Sequence, residues 1–180
     1  MTIDSKLIES LRRHLFAEED MHAYAVLDGA SVPNLRLKLH ELEPEHVCLY
    51  RGELEPDMAE VAPYLISLGM KEEFTRWVIA EGWGRHWGVF AVSRGDIRSL
   101  RTHFRKFLMV HDSDGKPLYF RYYDPRVLKV YLPTCTADEL KTFFGPVQTF
   151  LMEDKDPKLG KKFVFSGSVL REEKLVLGGG

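Results

Sequence analysis

Apolar positions along this chain recur with two periods, and together they predict helices alternating with strands. Asp4 can cap a first helix in which Leu7 or Ile8, Leu11 and Leu15 share one face. His22–Leu27 reads as a buried strand closed by Asp28-Gly29. Leu35, Leu37 and Leu39 alternate like a strand, yet Leu35, Leu39 and Leu42 fit a helix face. Pro33 and the Leu/Lys/Glu content favour the helix. A short strand over His46–Tyr50 and an acidic linker around Glu53–Asp57 lead to the apolar Tyr64-Leu65-Ile66. Glu72–Ala80 is helical, with Phe74, Trp77 and Val78 at helix spacing. A Gly82-Trp83-Gly84 turn separates it from the apolar strand Trp87–Val92. A helix starting at Ser93 or Asp96 then carries the stripe Ile97, Leu100, Phe104 and Phe107.

The stretch Leu118–Leu128 is the one around which the rest is organised. Leu118 to Tyr123 predicts a strand pairing with Met109-Val110-His111 across a turn at Asp112–Lys116. Leu118, Phe120 and Tyr122 would lie on one face, and Tyr119, Arg121 and Tyr123 on the other. Neither face is plainly polar, so the strand is expected inside the sheet. It ends in a rigid corner, because Asp124 is an N-cap and Pro125 suits the first helical position. The short helix after it stops at Pro133. Thr136 and Glu139 have the spacing of a capping box, Gly145-Pro146 ends the helix they start, and Val147–Met152 and Lys162–Leu170 are late strands. Residues 178–180, three glycines, are expected to form a disordered tail. The pattern predicts one domain over residues 1–177 of α/β class, α+β remaining open, with a mixed sheet flanked by helices.

Composition changes this picture little. Apolar residues make up 44% of 180 and aromatics 12%, enough for a core, and a formal net charge of −2 draws the chain toward neither nucleic acid nor membrane. Cys48 and Cys135 form no CxxC pair, as expected of a reduced chain. Met1–Ser5 holds no apolar signal core and no stretch has the length of a membrane span. A cytoplasmic protein is expected, one that works where it is made or leaves attached to something else.

Candidate chemistry is sparse. Ala91-Val92-Ser93-Arg94-Gly95 approaches a nucleophile elbow, but its first glycine is missing. Asp96, His103 and His111 crowd too near Ser93 for a triad, so Ser93 reads as a cap or turn residue. His40, His46 and Cys48 have metal-like spacing without a second pair, which leaves ordinary burial as the reading and no metal or cofactor expected. Gly82-Trp83-Gly84 lacks the glycine or lysine of a phosphate loop. Trp83 and Trp87 are core or rim residues that double as aromatic candidates for partner contact. Arg94, Arg98, Arg101 and Arg105 line one helix edge. Glu41, Glu43, Glu45, Glu53, Glu55, Asp57 and Glu60 face them in composition, with Arg51 alone among them. The two runs are solvated faces, a self-neutralising pair, or a charged docking surface. A nucleic-acid contact through Arg94–Arg105 is the second function class, and a serine hydrolase around Ser93 the third. Arg121 between two tyrosines is expected to stack on a ring or pair with a buried carboxylate.

Phe120-Arg121-Tyr122-Tyr123-Asp124-Pro125-Arg126 resembles the Arg-Phe-Tyr-Asp-Pro-Arg signature of a bacterial family first catalogued as a domain of unknown function. Its members are effector-loading chaperones, or adaptors, of the type VI secretion system. Tyr24–Ala30, Leu49–Gly52, Ala62–Leu65, Trp87–Phe90, Leu100–Phe107 and Phe143–Pro146 match in the same order, so the likeness covers roughly residues 20–150. The resemblance implies a non-enzymatic protein whose partners are a toxin effector and the valine-glycine repeat spike protein. On that reading Phe120, Arg121, Tyr122, Asp124, Pro125 and Arg126 are a structural signature.

Overall fold

A computed structural model describes residues 4–178. Helix α1 (Ser5–Leu15) is capped by the Asp4 carboxylate and buries Leu7, Leu11 and Leu15. Strand β1 (His22–Asp28) follows, then α2 (Leu35–Leu42), β2 (His46–Cys48), α3 (Pro56–Val61), β3 (Pro63–Leu68), α4 (Glu73–Gly82) and β4 (Gly88–Ser93). Next come α5 (Ile97–Arg105), β5 (Met109–His111), β6 (Pro117–Tyr119), α6 (Pro125–Tyr131) with a 3-10 turn to Thr134, and α7 (Ala137–Phe144). Strands β7 (Val147–Glu153), β8 (Leu159–Ser166) and β9 (Val169–Val176) complete the chain. Met1–Ile3 and two glycines of the expected tail, Gly179 and Gly180, lie outside the described residues.

Seven strands form one sheet in the order β2-β3-β1-β4-β7-β8-β9. The fold is α+β, and every pairing in this sheet is antiparallel where a mixed sheet was expected. The helix-strand alternation still has a structural counterpart. Strands β3 and β4 flank β1, each antiparallel to it, so they run parallel to one another with α4 as their crossover. β1 occupies the slot between them, which the order of elements does not reveal.

The period of two along β1 then sorts its side chains between two cores. Ala23, Ala25 and Leu27 face a cluster with α1, α2 and α4; Tyr24 and Val26 face another with α5, α6 and α7. The second cluster is dense in rings: Phe143 lies 5.4 Å from Phe150, 5.8 Å from Tyr122 and 5.0 Å from Phe107. Complete burial of one such ring is worth about 1.5–3 kcal/mol.

Three segments depart from the sequence expectation. Leu118–Tyr123 does not enter the sheet. Only Pro117–Tyr119 is strand, paired with Met109–His111 as an exposed two-stranded ribbon. Residues 121–124 form a turn in which the Asp124 N–H donates to the Arg121 carbonyl at 3.0 Å. Tyr122 and Tyr123 are both buried in the same core, which alternation along a strand forbids and a turn permits. The late strand expected at Lys162–Leu170 is a hairpin of β8 and β9, reversed at Gly167 and Ser168 with φ of 58° and 74°. Helix α3 replaces part of the acidic linker; it starts with Pro56 and buries no residue, so it left no apolar period to read.

Candidate docking site at the aromatic corner

The corner itself forms as its sequence predicts. The Asp124 carboxylate accepts from the Arg126 backbone N–H at 2.9 Å, and Pro125 opens α6. The same carboxylate takes the Arg126 guanidinium through Nε at 3.0 Å and a terminal nitrogen at 2.7 Å. Burial pushes the Asp124 carboxyl up, but the Arg126 side-chain and backbone donors outweigh it and hold it below the usual carboxylate range.

Arg121 pairs with a residue 93 positions earlier, Asp28 at the end of β1. That carboxylate is buried and also accepts from the Ala30 N–H at 3.1 Å and the Ser31 hydroxyl at 2.7 Å. Gly29 beside it has no room for a side chain: a Cβ would stand 2.5 Å from the Ala62 carbonyl oxygen, to which its N–H donates at 3.0 Å. The loop after β1, the start of β3 and the aromatic corner are therefore held together. Burial first, then the neighbouring Tyr50 and Asp28, drives the Tyr123 hydroxyl far above the ordinary tyrosine range. The expectation that Arg121 meets a buried carboxylate describes this arrangement.

Tyr50 leads from the corner into a groove of about 330 Å3. One wall is the ribbon, through Leu108, Met109 and Tyr119; the other is the segment Leu49–Met58, through Leu54 and Met58. The ribbon is anchored at its base by the Phe120 N–H donating to the Leu108 carbonyl at 3.0 Å. At its tip the Asp112 carboxylate accepts from the Asp114 and Lys116 N–H groups at 2.9 and 2.8 Å. Tyr119 is 70% exposed and Met58 46%, with Leu118, Met109 and Val110 also exposed. Among the described residues no carboxylate lines this groove, and Arg51 and Arg105 do.

The arginines of α5 and of the turn before it divide into different situations. Arg94 forms an exposed pair with Asp20 at 2.9 Å, and Arg98 is exposed near the helix cap Asp96. Arg105 turns inward, donating from Nε to the Leu49 carbonyl at 2.9 Å and from a terminal nitrogen to those of Cys48 and Tyr50 at 3.0 and 2.9 Å. It thereby holds the groove's acidic segment by backbone rather than by carboxylates, and it is not free for a partner. Burial, then Arg101 and Arg51, lower its pKa. Arg51 and Arg101 make no hydrogen bond or ion pair among the described residues.

Trp83 and Trp87 are not presented to a partner either. They are 5% and 6% exposed; Trp83 donates to the Pro157 carbonyl at 2.8 Å, and Trp87 sits against Trp77 at 5.1 Å. Buried Glu153 fastens the loop between them, accepting from the Gly84 and His86 N–H groups at 2.5 and 2.9 Å and pairing with the His86 ring. Burial raises the Glu153 pKa against the lowering effect of those donors. Ser93 is fully buried: its hydroxyl donates to the Pro146 carbonyl at 2.6 Å and accepts from the Gly95 N–H at 2.9 Å, the work of a turn residue. His103, one of its candidate partners, is instead committed to the Phe143 carbonyl at 2.7 Å. His46 meets the Pro44 carbonyl at 2.7 Å through Nδ1, and among the described residues no three His, Cys, Asp or Glu side chains are grouped to hold a metal. Nor is any described helix long and apolar enough to cross a membrane.

Sequence reasoning missed Asp28 as more than a strand end, missed Glu153, and missed the groove wall at Leu54 and Met58. For Asp28 a signal existed, since Asp-Gly-Ala-Ser after a strand offers a carboxylate to the next two donors. The groove had none, because its walls are 50 residues and more apart in sequence.

The family model described as Domain of unknown function (DUF4123) matches residues 23–142, two thirds of the chain. The match runs from β1 into α7 and so spans the corner, the groove and both faces of β1. No curated protein and no solved structure matches.

Proposed function

The chain belongs to the family Domain of unknown function (DUF4123), and on that premise we propose that it is a non-enzymatic adaptor of the bacterial type VI secretion system. It binds a toxin effector in the cytoplasm of the producing cell and helps load it onto the valine-glycine repeat spike protein. The family signature at Phe120–Arg126 supports this reading. The observation that carries it is the exposed apolar surface around the β5–β6 ribbon, since contiguous bare apolar surface beside polar groups is characteristic of protein contact sites.

The other classes find less. A hydrolase at Ser93 has its hydroxyl spent on Pro146. A nucleic-acid surface over Arg94–Arg105 is interrupted, with Arg94 paired to Asp20 and Arg105 turned onto carbonyls. The test is coexpression with the effector and spike proteins encoded by neighbouring reading frames, followed by purification on a tag carried by this chain. A complex containing the effector is expected, and the soluble effector yield should fall when this chain is omitted. Effector that elutes alone, with an undiminished yield, would end the adaptor reading.

A further inference from the structure

The groove beside the corner is half a recognition site, and its chemistry states what completes it. Its floor and walls are apolar: Leu49, Leu54, Met58, Leu108, Met109 and the ring of Tyr119. Its rim is cationic, with no carboxylate on it among the described residues. Arg51 and Arg105 line it, and Arg101 stands one helical turn from Arg105, close enough to act on it electrostatically. The acids of the same segment, Glu53, Glu55 and Asp57, are exposed and none lines the groove. Arg105 answers only to carbonyls, and Arg51 and Arg101 have no partner among the described residues. Two guanidinium groups at one apolar opening, with that of Arg101 one helical turn away, repel one another. Arg105 is held by its carbonyls, but Arg51 and Arg101 do no such work for the fold, and a negative group entering from outside would relieve the repulsion.

We propose that this groove binds a short acidic segment of a partner protein, with one or two large apolar side chains seated between the ribbon and Met58, and with carboxylates meeting Arg51 and Arg101. This inference rests on the adaptor reading for its partner but not for its chemistry. Planar guanidinium forks hold carboxylates in bidentate fashion, so Arg51 and Arg101 supply direction and the apolar floor supplies burial. The volume of about 330 Å3 lies at the small end of ligand pockets, the size of a few side chains rather than of a domain. The Arg105 bonds to Cys48, Leu49 and Tyr50, and the Asp28–Arg121 pair behind Tyr50, hold the walls in place before anything binds.

The experiment pans a phage-displayed library of random dodecapeptides on the full chain, and measures the selected peptides by fluorescence anisotropy at two salt concentrations. Selected sequences should combine Leu, Phe or Met with Asp or Glu. The Arg51→Glu/Arg101→Glu variant should bind them at least tenfold more weakly, and salt should weaken binding to the wild type more than to the variant. The Met109→Ser/Tyr119→Ser variant, altered at exposed positions only, should lose at least tenfold without a change in salt dependence. Selected peptides lacking acids, or equal affinity for all three proteins, would overturn the proposal. So would a concentration-dependent dimer abolished by Tyr119→Glu, which would make a second copy of this chain the occupant. The same variants offered the effector separate the two readings. Effector captured equally by all of them removes the groove and leaves the adaptor. Peptide binding without effector binding removes the adaptor and leaves the groove.

Discussion

Two groups of arginines lie within one side of this molecule, and they are treated in opposite ways. At the corner, Arg121 and Arg126 each meet a buried carboxylate, Asp28 and Asp124, whose remaining lone pairs are taken by backbone or hydroxyl donors. At the groove, Arg51, Arg101 and Arg105 meet no carboxylate among the described residues. The difference separates two uses of one residue type. A buried acid without a cation would be costly, so Arg121 and Arg126 complete the fold. A half-exposed arginine without an acid costs little by itself, and the fold can leave it open. Charge count along α5 does not distinguish these cases, since Arg105 is structural and Arg101 four residues before it is not.

That contrast can be broken or sharpened by substitution. The largest effect is expected behind the corner rather than in either arginine group. Tyr122 is fully buried, stacks on Phe104 at 5.7 Å and donates to the Phe104 carbonyl at 3.0 Å. Tyr122→Ala should therefore cost about 3–5 kcal/mol, a large part of a typical stability. Phe120 is only partly buried, against Tyr131 at 4.7 Å, and Phe120→Ala should cost about half as much. Urea melts that rank Phe120 above Tyr122 would return the segment to the strand geometry its sequence suggests.

Next comes Asp28→Ala, which leaves the Ala30 and Ser31 donors and Arg121 without their acceptor. A loss of roughly 2–3 kcal/mol is expected. Arg121→Ala should cost less, about 1 kcal/mol, because its guanidinium is 46% exposed and its side of the pair is screened by water. If Arg121→Ala destabilised as strongly as Asp28→Ala, the guanidinium rather than the carboxylate would be the organising member. At the groove, Arg51→Glu/Arg101→Glu should shift stability by no more than about 0.5 kcal/mol. A clear loss in the same melts would show that these side chains already have partners inside the protein.

The smallest effect is in pH dependence, and two of the buried acids, Asp124 and Glu153, have opposite signs. Asp124 has a lowered folded pKa, so its contribution is present above the unfolded value of about 3.9 and is lost as pH falls through the folded value. Glu153 has a raised one, so its cost at neutral pH is relieved as pH falls toward about 4.3. Wild type compared with Glu153→Gln should show a difference that favours wild type more at pH 5 than at pH 7. Wild type compared with Asp124→Asn should show an advantage that fades below about pH 4. A flat difference for either pair would mean that the acid titrates alike in folded and unfolded chains.

What the sequence determined by itself was whatever is settled within a few residues. The caps of α1, α5 and α6, the Thr136–Glu139 capping box, the Asp112 turn and the apolar stripe of α5 all depend on partners no more than four positions away. Only the tertiary structure decided that β1 lies between β3 and β4, that Leu118–Tyr123 leaves the sheet, and that Trp83 and Trp87 are covered. It also decided that Asp28 receives Arg121, and that Met58, Tyr119 and Arg51 share an opening. Each depends on surfaces brought together from distant parts of the chain. An aromatic run or an arginine reads the same in sequence whether a helix covers it, a carboxylate meets it, or water does. Burial and desolvation act between surfaces, so the energy that chooses among these outcomes exists only once the layers have met.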